Sequence, residues 1–472
     1  MLARIMLILG LLSGCCFSAE LILPTVFSDH MVLQREQPVP VWGKADPGTE
    51  VAVEFAGQKK IAMASASGRW QVILDPMPAS SESRVLKVSC NHQSAIENLK
   101  FSDVLVGEVW LCSGQSNMEL SMDRTANAAA AIAEAIHPKI RLYQTPEIFS
   151  RTPVEQIDAA WSVCTPESVK SFSGVAYYFG RKLNQDLNVP VGLLQSAYGG
   201  TPITAWTPPD GFKGYDTLKA FYRQAEELSQ REKIDRATTS GLYNGMLYAH
   251  VPFAIRGAIW YQGERDHKDG MLYVDKTRAL LNGWRSLWGY EFPFYFVQIA
   301  PYAYGDEDPA LLPLFWEAES MIVKTVPQTG MAVISDCATP NNIHPPNKKD
   351  PGIRLALLAL DHTYGKDLVS SGPVFQTLEE EGGCLTVHFG FAEGLSTRDG
   401  KAPDWFEIAG PDGVFKPAQA EISGSSVLLR SSEVPHPIAM RFAWNKVAEP
   451  NLVNGAGLPA SAFRTDCLTH RD

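Results

Sequence analysis

After its first dozen residues the chain offers no apolar run near the roughly 20 residues that a membrane-spanning helix needs. It has no basic cluster, and a formal charge of -11 argues against a nucleic-acid partner. There is no CxxC pair and no Cys/His spacing of a metal site among its eight Cys and ten His. A phosphate loop, a dinucleotide fingerprint, an internal repeat and a low-complexity tract are all missing. These absences leave no cofactor and no metal to expect. They point to chemistry done by side chains alone, on a substrate such as a carbohydrate or a small ester. What remains is globular in composition, 45% hydrophobic and 20% charged over 472 residues, a length that fits about three domains.

The N-terminus reads as an export signal. Arg4 precedes the short apolar run from Ile5 to Leu12, and small residues follow. Leu12-Ser13-Gly14-Cys15 resembles a bacterial lipobox, which implies a lipidated Cys15 and attachment to a membrane surface. Cleavage near Ala19 is the rival, and bulky Phe17 weakens it. The expected location is periplasmic or outer-surface, or secreted under the rival. Cys15 and Cys16 lie at the signal. The other six (Cys90, Cys112, Cys164, Cys337, Cys384, Cys467) are widely scattered, and most are expected to be buried thiols.

Three regions follow. Residues 20–102 carry short, partly alternating strands, with turn signals such as Asp46-Pro47-Gly48 between them, and suggest a β-sandwich. Residues 103–368 alternate strands (103–112, 139–144, 190–197, 254–262, 292–300, 330–336) with helices (122–136, 174–187, 216–233, 271–288, 310–325, 352–364). That alternation predicts an α/β fold with a mostly parallel sheet and helices on both faces. Residues 369–472 return to short strands and read as a second β-rich module.

Four blocks stand out: Cys112-Ser113-Gly114-Gln115-Ser116-Asn117-Met118-Glu119, Tyr198-Gly199-Gly200-Thr201, Trp260-Tyr261-Gln262-Gly263-Glu264, and Ile343-His344-Pro345-Pro346-Asn347-Lys348. Each falls at the C-terminal end of an expected strand, where an open α/β sheet places its site. A serine on a strand-to-helix turn exposes its hydroxyl, although Ser is also a common helix cap. Ester hydrolysis further requires a base and oxyanion donors. His344, in a Pro-flanked loop after the last strand, is the base candidate, and His267 is its serious rival.

In this order the four blocks resemble the sialate O-acetylesterase branch of the SGNH (GDSL-like) hydrolases, over roughly residues 20–365. The resemblance implies an SGNH-type three-layer α/β/α catalytic domain between the two β-rich modules. It implies a serine esterase that removes O-acetyl groups from carbohydrate, with Ser116 as nucleophile and His344 as base. Sialic acid is the name-giving substrate, and acetylated xylan or xyloglucan stays open. A non-catalytic glycan-binding lipoprotein is the alternative. The oxyanion hole would draw on Ser116, Gly199, Gly200 and the side chain of Gln262. Gln115, Asn117, Asn244 and Glu264 are candidate substrate contacts, with an ion pair to Arg256 or Arg265 an equal role for Glu264. The third triad member departs from the pattern. Asn341 stands three residues before the His, where many relatives carry Asp. Asp336 is the nearest acid, and a Ser–His dyad without it is the preferred reading.

Overall fold

One strand organises the molecule. The computed structural model describes residues 21–92 and 95–466, so the expected signal and Cys15 lie outside the described residues. Strand β1 (Ala95–Gly114) pairs antiparallel with the strand Ser80–His92 along its first half. Along its second half it pairs parallel with two strands of a different character. The change of composition expected at residue 103 therefore falls inside a strand. The register with Ser80–His92 shifts there, and Asp103 takes a left-handed φ of 55°. An extra residue of this kind bends a strand and re-aims it. Asp is one of the few side chains that tolerates the conformation. Its carboxylate is held by Arg141 Nη1 at 2.5 Å and His30 Nδ1 at 2.8 Å.

The central sheet adds β2 (His137–Gln144), β3 (Trp161–Cys164), β4 (Val191–Ala197), β5 (Gly257–Tyr261), β6 (Phe294–Val297) and β7 (Thr329–Ala332). Their spatial order is β7-β6-β5-β1-β4-β2-β3, parallel except for the antiparallel edge strand β3. The order reverses around β1, so the crevice of the sheet opens at the ends of β1, β4 and β5. Strands covered on both faces read as continuous apolar runs, and β4 and β5 are buried at every residue. Alternation then sends Val109 and Leu111 into one core with Leu280, Leu281 and Trp284. Trp110 and Cys112 go into the other with Phe179, Leu193 and Leu355.

Helices α2 (Gly174–Leu187) and α5 (Lys349–Leu358) cover the second face. Helices α3 (Leu272–Trp288) and α4 (Leu311–Thr325) cover the first. The helix expected at 122–136 is broken into Met122–Arg124 and Ala128–Ala133, because Asn127 turns left-handed at φ 58°. The hairpin strand Gln58–Met63 was not expected. Its exposed face carries Ile61 and Met63 beside Lys59, while Lys60 is on the half-buried face, so the usual apolar-in, polar-out alternation is lost.

Beyond residue 369 the described chain forms small antiparallel sheets, such as Val374–Glu381 with Cys384–Gly390. They dock on the central unit through Arg464–Glu317 at 2.9 Å and Gln298–Ser461 at 2.9 Å. The fold is thus mixed α/β, a large mixed sheet with further β-rich sheets. No helix among the described residues is long and apolar enough to cross a membrane. Cys112, Cys164, Cys337 and Cys384 are free thiols.

Candidate active site

The end of β1 is fixed by backbone crowding. An ideal Cβ on Gly114 would stand 2.2 Å from the Tyr261 carbonyl oxygen, and φ at Gly114 is +143°. No side chain fits there. Gln115 N–H donates to the same carbonyl at 3.0 Å, and α1 (Ser116–Glu119) begins at once. This turn lifts Ser116 to the rim of the sheet. The loop after β4 closes over it: an ideal Cβ on Gly199 would lie 3.3 Å from Ser116 Cβ.

From the other side, the loop between β7 and α5 brings in His344. Its Nε2 lies 2.8 Å from Ser116 Oγ. Burial, then the charges of Lys348 and Arg124, hold the imidazole below its usual pKa, so it is neutral and basic near neutral pH. Ser116, Glu119, Arg124, Gln144, Ser171 and His344 line a cleft of about 260 Å³.

Residues 106–344 match the family model of carbohydrate esterases described as sialic acid-specific acetylesterase. The human sialate O-acetylesterase is 31% identical over 391 residues, covering 75% of this chain and 73% of that protein. The mouse enzyme is 28% identical over 445 residues, covering 81% and 80%. The chain belongs to this acetylesterase family. The crystal structure of a carbohydrate acetylesterase from Xanthomonas citri superposes with a TM-score of 0.86 at 35% identity, covering 95% of this chain and all of that one. The protein is accordingly a carboxylic ester hydrolase.

Several residues named from the sequence stand elsewhere in the esterase. Asp336 makes no hydrogen bond to His344. Arg354 takes both its oxygens, at 2.6 and 2.7 Å, which holds the carboxyl below its ordinary range despite burial. Asp350 accepts from Asn347 at 2.7 Å. Among the described residues, no carboxylate is hydrogen-bonded to the His344 ring. The Asn342 side chain instead accepts the His344 backbone N–H at 2.9 Å.

Gln262 is not a free oxyanion donor. Its amide gives one N–H to Thr201 O at 3.1 Å and one to Asp266 Oδ2 at 2.6 Å, while Tyr273 donates to its oxygen at 2.8 Å. The carboxylate fixes the amide's orientation, and both donors are spent. Gln115 braces the loop after β5 by accepting from the Arg265 N–H at 3.2 Å. Asn244 is buried and its side-chain amide donates to Ser150 O at 3.3 Å. His267, the rival base, is stacked on Tyr304 and bound to Glu307 at 2.8 Å. Arg256 pairs with Glu108 at 2.8 Å, not with Glu264.

Asn117 and Glu264 belong instead to a buried network behind the loop that carries His344. Asn117 Nδ2 donates to Glu264 Oε1 at 2.5 Å and to the Ile343 carbonyl at 3.0 Å. Asn117 Oδ1 accepts from Lys348 Nζ at 2.5 Å. Lys348 is 1% exposed, its ammonium 4.9 Å from the Tyr261 ring centre. Burial pushes its pKa down to about 7, against the pull of Glu264. Burial also raises Glu264.

Lys348 escaped the sequence reading, although it ends the fourth block. Glu119, which ends the first block, escaped it too. The Glu119 carboxyl accepts from the Gly199 N–H, and burial together with the facing Glu147 carboxyl raises its pKa to about 7.

Proposed function

We propose that the protein hydrolyses O-acetyl esters on sialic acid through a Ser116–His344 dyad. The observation that carries this reading is the 2.8 Å contact from His344 Nε2 to Ser116 Oγ at the crevice of the sheet. Ser116 Oγ attacks the acetyl carbonyl carbon while its proton passes to Nε2. The oxyanion is met by the backbone N–H groups of Ser116 and Gly200, joined by that of Gly199 when substrate displaces the Glu119 carboxyl. Collapse of the tetrahedral species returns the proton to the departing sugar hydroxyl and leaves an acetyl-serine. Water, activated by the same imidazole, then releases acetate.

The part-buried hydrogen bond from Asn117 to Ile343 O, and the exposed one by which Asn342 accepts the His344 N–H, keep the ring in place without a triad acid. We assign the SGNH type to residues 103–368, with β-rich modules at 20–102 and 369–472. Export with lipidation at Cys15 completes the proposal, and mass spectrometry of the native N-terminus tests it. Ser116→Ala tests the chemistry. In a folded variant, acetate release from an O-acetylated sialic acid should fall by about 10³-fold or more. Near-normal turnover would refute the dyad.

A further inference from the structure

Arg236 lies against the Tyr198-Gly199-Gly200 loop that flanks Ser116, with its hydrogen-bonding edges unspent. It is exposed, and among the described residues it has no ion pair and no side-chain hydrogen bond. A lone surface arginine is ordinarily mobile, and ordering it costs entropy. This one is held flat. An ideal Cβ on Gly200 would lie 3.3 Å from Nη2, 3.4 Å from Cζ and 3.6 Å from Nε, so the plane of the guanidinium lies against the glycine. Its Cζ is 5.8 Å from the centre of the Tyr198 ring. Gly200 itself has φ +72°, a second reason for glycine there. The adjoining Gly199 is the residue in contact with Ser116.

The nearest acid in sequence does not neutralise it. Asp235 Oδ1 accepts from the Ala237 N–H at 2.9 Å and from Thr238 Oγ1 at 3.1 Å. Arg124, by contrast, stands in the cleft beside Asp123 and Glu119. A planar cation that is ordered before binding, with free N–H groups in a fork, matches a carboxylate in two parallel hydrogen bonds. Its contact reaches Ser116 only through Gly200 and Gly199, so it lies beyond the ester itself, on the side where a carboxylate elsewhere on the sugar would be met.

We propose that Arg236 is a specificity-determining residue that binds the carboxylate of an acidic acetylated sugar. The inference rests on the sialate reading of the site and names the residue that separates such a sugar from a neutral glycan. Tyr198 and Gly200 serve as the platform that orders the guanidinium.

The test compares full-length wild type, Arg236→Gln and Arg236→Lys on two substrates. One is an O-acetylated sialic acid; the other is the same sugar with its carboxylate converted to the primary amide. Rates are expressed relative to p-nitrophenyl acetate, which carries no carboxylate. Wild type should favour the acid by about 10- to 100-fold in kcat/KM, mainly through KM. Arg236→Gln should bring that preference close to one, and Arg236→Lys should keep part of it. An unchanged acid preference in Arg236→Gln would overturn the role of Arg236 and leave the sialate reading standing. Wild type that cleaves p-nitrophenyl acetate but neither sugar would overturn the sialate reading and this inference with it.

Discussion

Replacing Lys348 by Met should give two effects that pH separates. The folded Lys348 loses its proton near pH 7, because burial at 1% exposure opposes the ammonium. In the unfolded chain it holds the proton to about 10.4. Between those values the unfolded chain binds more protons, so this group makes stability rise with pH. The cost of the buried ammonium, on the order of 5 kcal/mol, is full below pH 7 and gone above the unfolded pKa. Met carries no such term.

Passing from about pH 6 to about pH 9, wild type should gain roughly 2–3 kcal/mol that the variant does not. The melting-temperature difference, variant minus wild type, should therefore move against the variant by several degrees. Loss of the Lys348 charge also raises Glu264 further, which destabilises the variant in the same direction as pH rises. Independently of pH, Asn117 Oδ1 loses its donor, and the clamp on Ile343 O loosens. A displaced His344 should lower kcat by about 10- to 100-fold. Calorimetric scans across the pH range, with initial rates on the same samples, measure both effects. Parallel stability curves for wild type and Lys348→Met would refute a lysine that titrates near neutrality.

Asp336→Asn should cost roughly 3 kcal/mol of stability, since it strands the buried Arg354 guanidinium, while folded enzyme keeps kcat/KM within about tenfold. A loss matching His344→Ala, with an unchanged melting temperature, would make Asp336 the triad acid. Gln262→Glu puts a carboxyl against the Asp266 oxygen that Gln262 now donates to at 2.6 Å. The new group's pKa is raised, so the variant should be least impaired in acid and lose stability as pH rises. A kcat drop of about 10²-fold without loss of stability would restore Gln262 to the oxyanion hole. Arg124→Ala removes a charge that depresses His344, so the acid limb of the kcat/KM profile should move up toward the ordinary histidine value. A limb that stays in place would show that Arg124 does not act on the base.

The parallel strands of the central sheet were legible because doubly covered strands must be apolar at nearly every residue, as β4 and β5 are, whereas their spatial order came only from the structure. The blocks that hold Ser116, Gly199 and His344 were expected beyond strand C-termini, and the structure brings these residues together. The break at Asn127 was harder to see. An alanine-rich run favours helix locally, whereas the left-handed turn is a property of one residue in context. The bulge at Asp103 was visible only as a change in composition, not as a bend within one continuous strand.

The sequence by itself determined the fold class, the nucleophile and base candidates, and the family, because periodicity and short motifs are local and survive without knowledge of contacts. Only the tertiary structure decided who holds whom. Asp336 lies eight positions before His344, yet Arg354 claims it. Gln262 looks like an oxyanion donor, yet Asp266 and Thr201 take both of its N–H groups. Lys348 carries no assigned role in the sequence beyond ending the fourth block, yet it closes a buried network with Asn117, more than two hundred residues away. A side chain's chemistry depends on the partners that spend its donors, acceptors and charge, and those partners are brought close only by the fold.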